Sequence, residues 1–233
     1  MVEYDNKEEV GKGMQELNNK LNGLGEWVIR LVYLNFLWIG FSLLGLGILG
    51  IFPATSALIS VLRKYFIKNE RVKISSEFYR YYKKDFWKSN GLGYFFLIVA
   101  IVLWADYLYV SSIANLGMFA LGYVALILLA FSLLSLCVLF PIYSHYQLSF
   151  FQYIKQVFLF PITNLFSMIL LAGALFCIQF IFNSLPGFIL FMGISFPAFV
   201  LMKIVFPIFQ GKSLSVHGFF KMFKRSREES MYY

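Results

Sequence analysis

Charge is scarce in this chain. Charged residues fill 14% of its 233 positions, against roughly 25% in an average soluble protein. That shortage excludes intrinsic disorder, which needs high charge and few large apolar side chains. It also excludes a soluble enzyme or a nucleic-acid binder. Cysteine is nearly absent: Cys137 and Cys177 both lie inside apolar runs, so neither a disulfide framework nor a thiol metal site is expected. His145 and His217 have no carboxylate or cysteine neighbours at ligand spacing. A glycine-rich phosphate loop, a zinc-protease helix and a serine nucleophile elbow are all missing, as is an arginine ladder of the voltage-sensor kind. The expectation is a non-enzymatic protein with no metal and no cofactor. The polar, acidic start, MVEYDNKEEVGKGMQELNNK, lacks the pattern of a signal peptide.

What the chain has in excess is apolar surface. Hydrophobic residues make up 60%, with 28 phenylalanines, and several stretches of about 20 residues carry at most one charge, which suits a bilayer and no soluble core. The expected fold class is all-α: a polytopic membrane protein with five transmembrane helices and amphipathic interfacial helices on the cytoplasmic side. The spans read as about 27–50, 91–112, 118–140, 162–183 and 188–209, between a polar acidic segment 1–26 and a basic tail 210–233. A new helix is expected just after Pro53, where proline suits a first turn. Residues 54–90 read as a basic interfacial loop, within which SSEFYRYYKKDFW alternates rings and bases at helical spacing and so reads as a helix lying on the membrane.

Five spans put the two ends on opposite sides. The formal charge of +8 is concentrated in 63–90, at Lys155 and in the tail, and the positive-inside rule places these in the cytoplasm. The N-terminus then falls outside, in the cell membrane of the host. Residues 41–62 leave a second possibility open, a re-entrant hairpin that brings the N-terminus inside. The basic face is expected to meet anionic headgroups rather than nucleic acid.

A degenerate repeat accompanies this topology. Phe52-Pro53, Phe140-Pro141 and Phe206-Pro207 stand at or near the ends of spans one, three and five. Each precedes an aromatic and basic segment, SSEFYRYYKKDF, SFFQYIKQVF or SVHGFFKMFK. The expected meaning is a helix break at headgroup level. Phe160-Pro161 and Phe196-Pro197 do not fit the scheme.

Few polar groups lie within the spans. Asp106 is the only acid there, and such a residue is costly unless paired, protonated or wetted. Asn35, Tyr123 and Gln179 fall at a similar depth, with Arg30 nearer the outer surface. These five form a candidate polar layer. It has two readings: a site opening outward for a hydroxyl-rich ligand or a proton, or a structural Arg30–Asp106 tie with interhelical hydrogen bonds. Lys203 is expected to snorkel to the inner headgroups, and Pro197 to kink span five.

The run LNFLWIGFSLLGLGILGIFPATSALISVLRKYF at 34–66, followed by SSEFYRYYKKDFWKSNGLG at 75–93, resembles the bacterial YesL family, also called DUF624. The resemblance is carried by Asn35 and Trp38, a glycine-rich stretch, and Pro53, Ala54, Thr55, Ala57 and Leu58 ahead of a basic helix. It implies a small integral membrane protein of Gram-positive type bacteria, whose genes often stand beside carbohydrate ABC importers. It implies no catalytic residue.

Two functional expectations follow. One is a non-enzymatic accessory or assembly factor linked to carbohydrate uptake, with ABC importer permease subunits as candidate partners. The other is a small solute transporter, a homo-oligomer if one chain is too small, using the polar layer around Asp106.

Overall fold

The computed structural model describes residues 25–68, 73–113 and 116–211. Among the described residues there are helices and turns but no strand, so the fold is all-α as expected. The helices are α1 (Gly25–Leu44), α2 (Ile48–Lys68), α3 (Ile74–Ser111), α4 (Leu116–His145), α5 (Phe150–Thr163), α6 (Leu165–Ser184), α7 (Gly187–Met192) and α8 (Ser195–Phe209). Four of them, α1, α3, α4 and α6, are long and apolar enough to cross a membrane. The count of five spans is therefore approximate.

The first region departs most from expectation. Helix α1 does not run on to residue 50, and the next helix does not wait for Pro53. Instead α1 closes with the Leu46 amide donating to the Leu43 carbonyl and the Gly47 amide to the Ser42 carbonyl, both at 2.9 Å. These are the paired bonds of a Schellman ending. Leu46 (φ 59) and Gly47 (φ 72) are left-handed, and α2 then returns alongside α1. Trp27 meets Tyr65 with ring centroids 5.9 Å apart, and Trp38 Nε1 donates to Thr55 Oγ1 at 3.0 Å. A methyl on Gly50 would overlap the Ser42 carbonyl, and one on Gly45 would overlap the Gly50 backbone. Glycine is what lets the two helices meet at the turn.

This hairpin corrects the placement of the N-terminal side. The start of α1 lies at the same end of the bundle as the end of α2 and the basic segment, not at the opposite end. Of the two expectations for 41–62, the returning chain is the one found, as a helix of 21 residues rather than a shallow dip. The acidic segment 1–24 and the tail from 212, with His217 and the third repeat segment, lie outside the described residues.

Residues 54–62, expected in a surface loop, form the centre of the bundle. Ala54, Ala57, Leu58, Ile59, Val61 and Leu62 are all 0–1% exposed. A helix apolar all round must be buried, and its alanines and serines let neighbours approach closely. Helix α2 packs against α3, α4 and α8 as well as α1. Its charges begin only at Arg63, whose guanidinium donates to the Ser144 carbonyl of α4.

The basic aromatic segment and span two are one helix. With 38 residues, α3 is roughly 57 Å long at 1.5 Å per residue. That exceeds a bilayer of about 40–45 Å with its headgroups, and Arg80, Lys83, Lys84 and Lys88 lie toward one end of the helix. The segment is not the separate surface helix expected, since it continues unbroken into span two. Lys64 Nζ of α2 pairs with Glu77 Oε1 at 3.0 Å beside it. The stretch 141–160 resolves into the end of α4, a four-residue link and α5. Span four begins only at Leu165, after a break at Asn164, and span five is split into α7 and α8.

The repeat fails as a set of helix breaks. Pro53, Pro141 and Pro207 each lie inside a helix. Pro53 sits just after the α1–α2 turn, at the end of α2 away from the basic segment, so the three places are not equivalent. Proline here is tolerated because neighbours satisfy what it frees. Pro53 leaves the Leu49 carbonyl without its helical donor, and Asn90 Nδ2 of α3 supplies one at 2.9 Å. Tyr94 Oη donates to the adjacent Ile48 carbonyl at 2.8 Å.

Two measurements check this architecture. With Cys137 and Cys177 replaced by serine, single cysteines at Glu26 and Lys73 should react with an impermeant maleimide from the same side of the membrane, and one at Leu185 from the other. Labelling of 26 and 73 from opposite sides would refute the hairpin. In thermal unfolding, Gly50→Ala should lower the midpoint sharply. Leu46→Gly should raise stability by about 1 kcal/mol, the cost of a left-handed L residue, since the Leu46 side chain is 85% exposed and packs on little.

Candidate functional site

The five candidate polar residues do not form a layer. Arg30 is at the basic end: its Nη2 is 2.9 Å from Glu26 Oε2, and its guanidinium lies over the Trp27 and Tyr65 rings at 5.7 and 5.3 Å. The proposed tie to Asp106 is absent. Asp106 is exposed on α3, with no hydrogen bond or ion pair among the described residues. Tyr123 is 67% exposed on α4 and shares a shallow hollow with Tyr107. Gln179 is exposed on α6 and donates to its own helix neighbour, Asn183, at 3.1 Å. No hydrogen bond, ion pair or ring contact joins any two of the five among the described residues.

Asn35 alone is buried, at 2% exposure, and its place is specific. Helix α7 ends at Met192 and α8 starts at Ser195. In an unbroken helix the Ile194 amide would donate to the Leu190 carbonyl. Here the Asn35 carboxamide is inserted between them. Its Nδ2 donates to the Leu190 carbonyl at 2.8 Å, and its Oδ1 accepts from the Ile194 and Ser195 amides at 3.1 and 3.3 Å. Gly193 permits the break, since a methyl there would overlap the Ile189 carbonyl. Pro197 follows without a donor of its own.

The break is walled by apolar surface. Beside it lies a cavity of about 280 Å³ lined by Phe52, Thr55, Leu136, Cys137, Gly193 and Pro197 among others. Thr55 spends its hydroxyl hydrogen on the Ile51 carbonyl at 2.8 Å and accepts from Trp38. Lys203, expected at the inner headgroups, holds its ammonium 5.8 and 5.6 Å from the Phe66 and Phe199 ring centroids.

A polar hollow that the sequence reading missed lies at the basic end. About 410 Å³ in volume, it is lined by Ser60 and Arg63 of α2, Tyr81, Lys84, Asp85 and Lys88 of α3, Tyr143–His145 of α4, the link 146–148, and Tyr153 of α5. Tyr143 Oη donates to Asp85 Oδ1 at 2.9 Å. Tyr153 Oη donates to the Tyr146 carbonyl at 2.6 Å and accepts from the Leu148 amide at 3.2 Å, fixing the link. Burial pushes the Tyr153 phenol above its ordinary value. The Leu148 amide pulls it down, and the Asp85 carboxylate adds to the rise. Arg63, Lys84, Lys88 and Asp85 are the acidic and basic residues, besides His145, that line the hollow. The i, i+4 lysines were visible in the sequence. Their convergence with Arg63 and the 144–148 segment depends on α2 returning along α1.

An all-helical bundle with four span-length apolar helices and one charged end is the architecture of a polytopic membrane protein by length and composition. The chain belongs to the DUF624 family, described as a protein family of unknown function, whose model matches residues 31–107. Three uncharacterised proteins of Bacillus subtilis (strain 168) are similar over most of their length. YesV is 35% identical over 193 residues, covering 82% of this chain and 92% of YesV. YteU is 31% identical over 189 residues, covering 78% and 82%. YesL is 31% identical over 193 residues, covering 82% and 90%. No solved structure matches the chain. The matched region contains Asn35, Trp38, Pro53, Thr55 and Asn90, all of which serve helix joints.

Asn35 and Asp106 should separate in a stability measurement. Asn35→Ala takes the partner from two amides and a carbonyl in the interior and should cost roughly 2 kcal/mol. Asp106→Asn, which breaks no contact in the bundle, should be neutral or stabilising. Detergent-solubilised thermal unfolding of both variants checks this, and equal losses would contradict the geometry.

Proposed function

We propose that this protein is a non-enzymatic membrane accessory or assembly factor linked to carbohydrate uptake. One observation carries the scaffold reading: the helix break in the bundle is closed by the protein's own Asn35. In carriers built on broken helices, the free half-helix ends hold the solute or its coupling ion. Here both ends of the break are occupied by a carboxamide, and the adjoining cavity is apolar. The remaining span residues of the expected layer stand apart on the outside, which weighs against a route through one chain. The link to carbohydrate uptake comes from the family resemblance. The partners proposed are ABC importer permease subunits, with anionic lipid at the basic end. A second copy of the chain is the alternative occupant of the exposed helix flanks.

The test is a gentle-detergent pull-down of the tagged protein from its native membrane, from cells grown on complex polysaccharide and on glucose. Permease subunits should be recovered in stoichiometric amount on polysaccharide, and Asp106→Asn should leave that recovery unchanged. Recovery of the protein alone, with solute flux in liposomes that Asp106→Asn abolishes, would overturn the proposal in favour of a small oligomeric transporter.

A further inference from the structure

We propose that the hollow at the basic end is a binding site for a phosphate group, carried either by an anionic lipid headgroup or by a soluble phosphomonoester. Its volume of about 410 Å³ lies within the usual range of ligand pockets, roughly 300–1,000 Å³. Three cations from two helices line it: Arg63 from α2, and Lys84 and Lys88 one turn apart on α3. Lys84 and Lys88 repel one another along α3, and neither has an ion pair among the described residues. The single carboxylate of the hollow, Asp85, is 9% exposed and already accepts from Tyr143.

Arg63 is held from behind. One guanidinium nitrogen donates to the Ser144 carbonyl, which fixes the planar fork. Arg63 Nε and His145 Nδ1 are buried and make no hydrogen bond to the protein. Buried polar nitrogens without a partner are costly. A phosphate offers several acceptor oxygens and more than one negative charge, and guanidinium and ammonium groups on separate elements match it. The phenols of Tyr81, Tyr143 and Tyr153 complete the polar wall. A headgroup at the membrane surface and a soluble phosphomonoester would use the same donors.

The full-length protein, purified in a neutral detergent, tests the site with three probes. These are dioctanoyl phosphatidic acid, glycerol 3-phosphate and inorganic phosphate, followed by native mass spectrometry and by the thermal midpoint. One equivalent should bind. The double variant Lys84→Gln with Lys88→Gln, which alters two exposed side chains and no fold contact, should weaken binding about tenfold or more, as expected for the loss of charge-assisted bonds. Lys83→Gln, a neighbouring exposed lysine outside the hollow, should change it less than about twofold. Binding of phosphatidic acid alone assigns a lipid headgroup. Binding of the two soluble probes as well assigns a phosphomonoester. No saturable binding of any probe, or equal weakening by Lys83→Gln and the double variant, overturns the proposal. The readout is independent of any permease, so the site and the accessory role can fail separately.

Discussion

A backbone amide or carbonyl released inside hydrocarbon has no water to turn to. At two places in this bundle a distant side chain satisfies such groups, and both joints shape the arrangement. At the α7–α8 break, Asn35 of α1 takes the Leu190 carbonyl and two amides. At Pro53, Asn90 of α3 takes the Leu49 carbonyl. Each joint ties together helices distant in sequence. The break in α7–α8 fixes α1 against the last helix, and the proline in α2 fixes α2 against the middle of α3. Both joints use neutral carboxamides, which can give and accept in one plane at no cost in buried charge.

That economy accounts for the polar residues and glycines of 35–55 as hydrogen-bonding and packing groups. Trp38 donates to Thr55, Thr55 donates to its own helix at Ile51, and Gly45 and Gly50 bring α1 and α2 into backbone contact. A membrane bundle lacks the hydrophobic drive that assembles a soluble core, because lipid tails are as apolar as leucine. Close packing and a few directed hydrogen bonds must set which helix neighbours which. The polar residues of 35–55 are spent on that choice.

Much of the fold was legible because hydropathy is local. Helices α3, α4 and α6 stand close to where apolar runs place them, and an all-helical membrane architecture followed from composition. A helix after Pro53 was legible, but its central, buried place was not. Residues 48–62 offer only a short apolar run before Arg63 and Lys64, and the basic segment that follows drew 54–62 into a surface reading. Its burial depends on Gly45–Gly47 turning the chain back, and a left-handed leucine at 46 is a poor sequence signal for a turn. The start of α1 was misplaced with it, because one additional antiparallel helix brings that start to the end of the bundle that carries the basic segment. The candidate layer failed for a related reason. Depth along four separate spans was taken as proximity, yet residues at one depth on different helices face different neighbours. Arg30, Asp106 and Gln179 share no hydrogen-bond or ion-pair partner among the described residues, while Asn35 was read as one of several polar groups when its partners lie 155–160 positions away.

The distribution of charge carries the functional reading further than any single residue. Inside the bundle the two joints are made by the neutral carboxamides of Asn35 and Asn90. At one end, Arg63, Lys84 and Lys88 converge around a hollow whose only carboxylate is bonded to a tyrosine. The same two-helix return that buries α2 delivers Arg63 to the Ser144 carbonyl and so builds that hollow. In the proposed site an anion would touch α2, α3, α4 and the link to α5 together, and so would brace the charged end of the largely buried α2 against its neighbours.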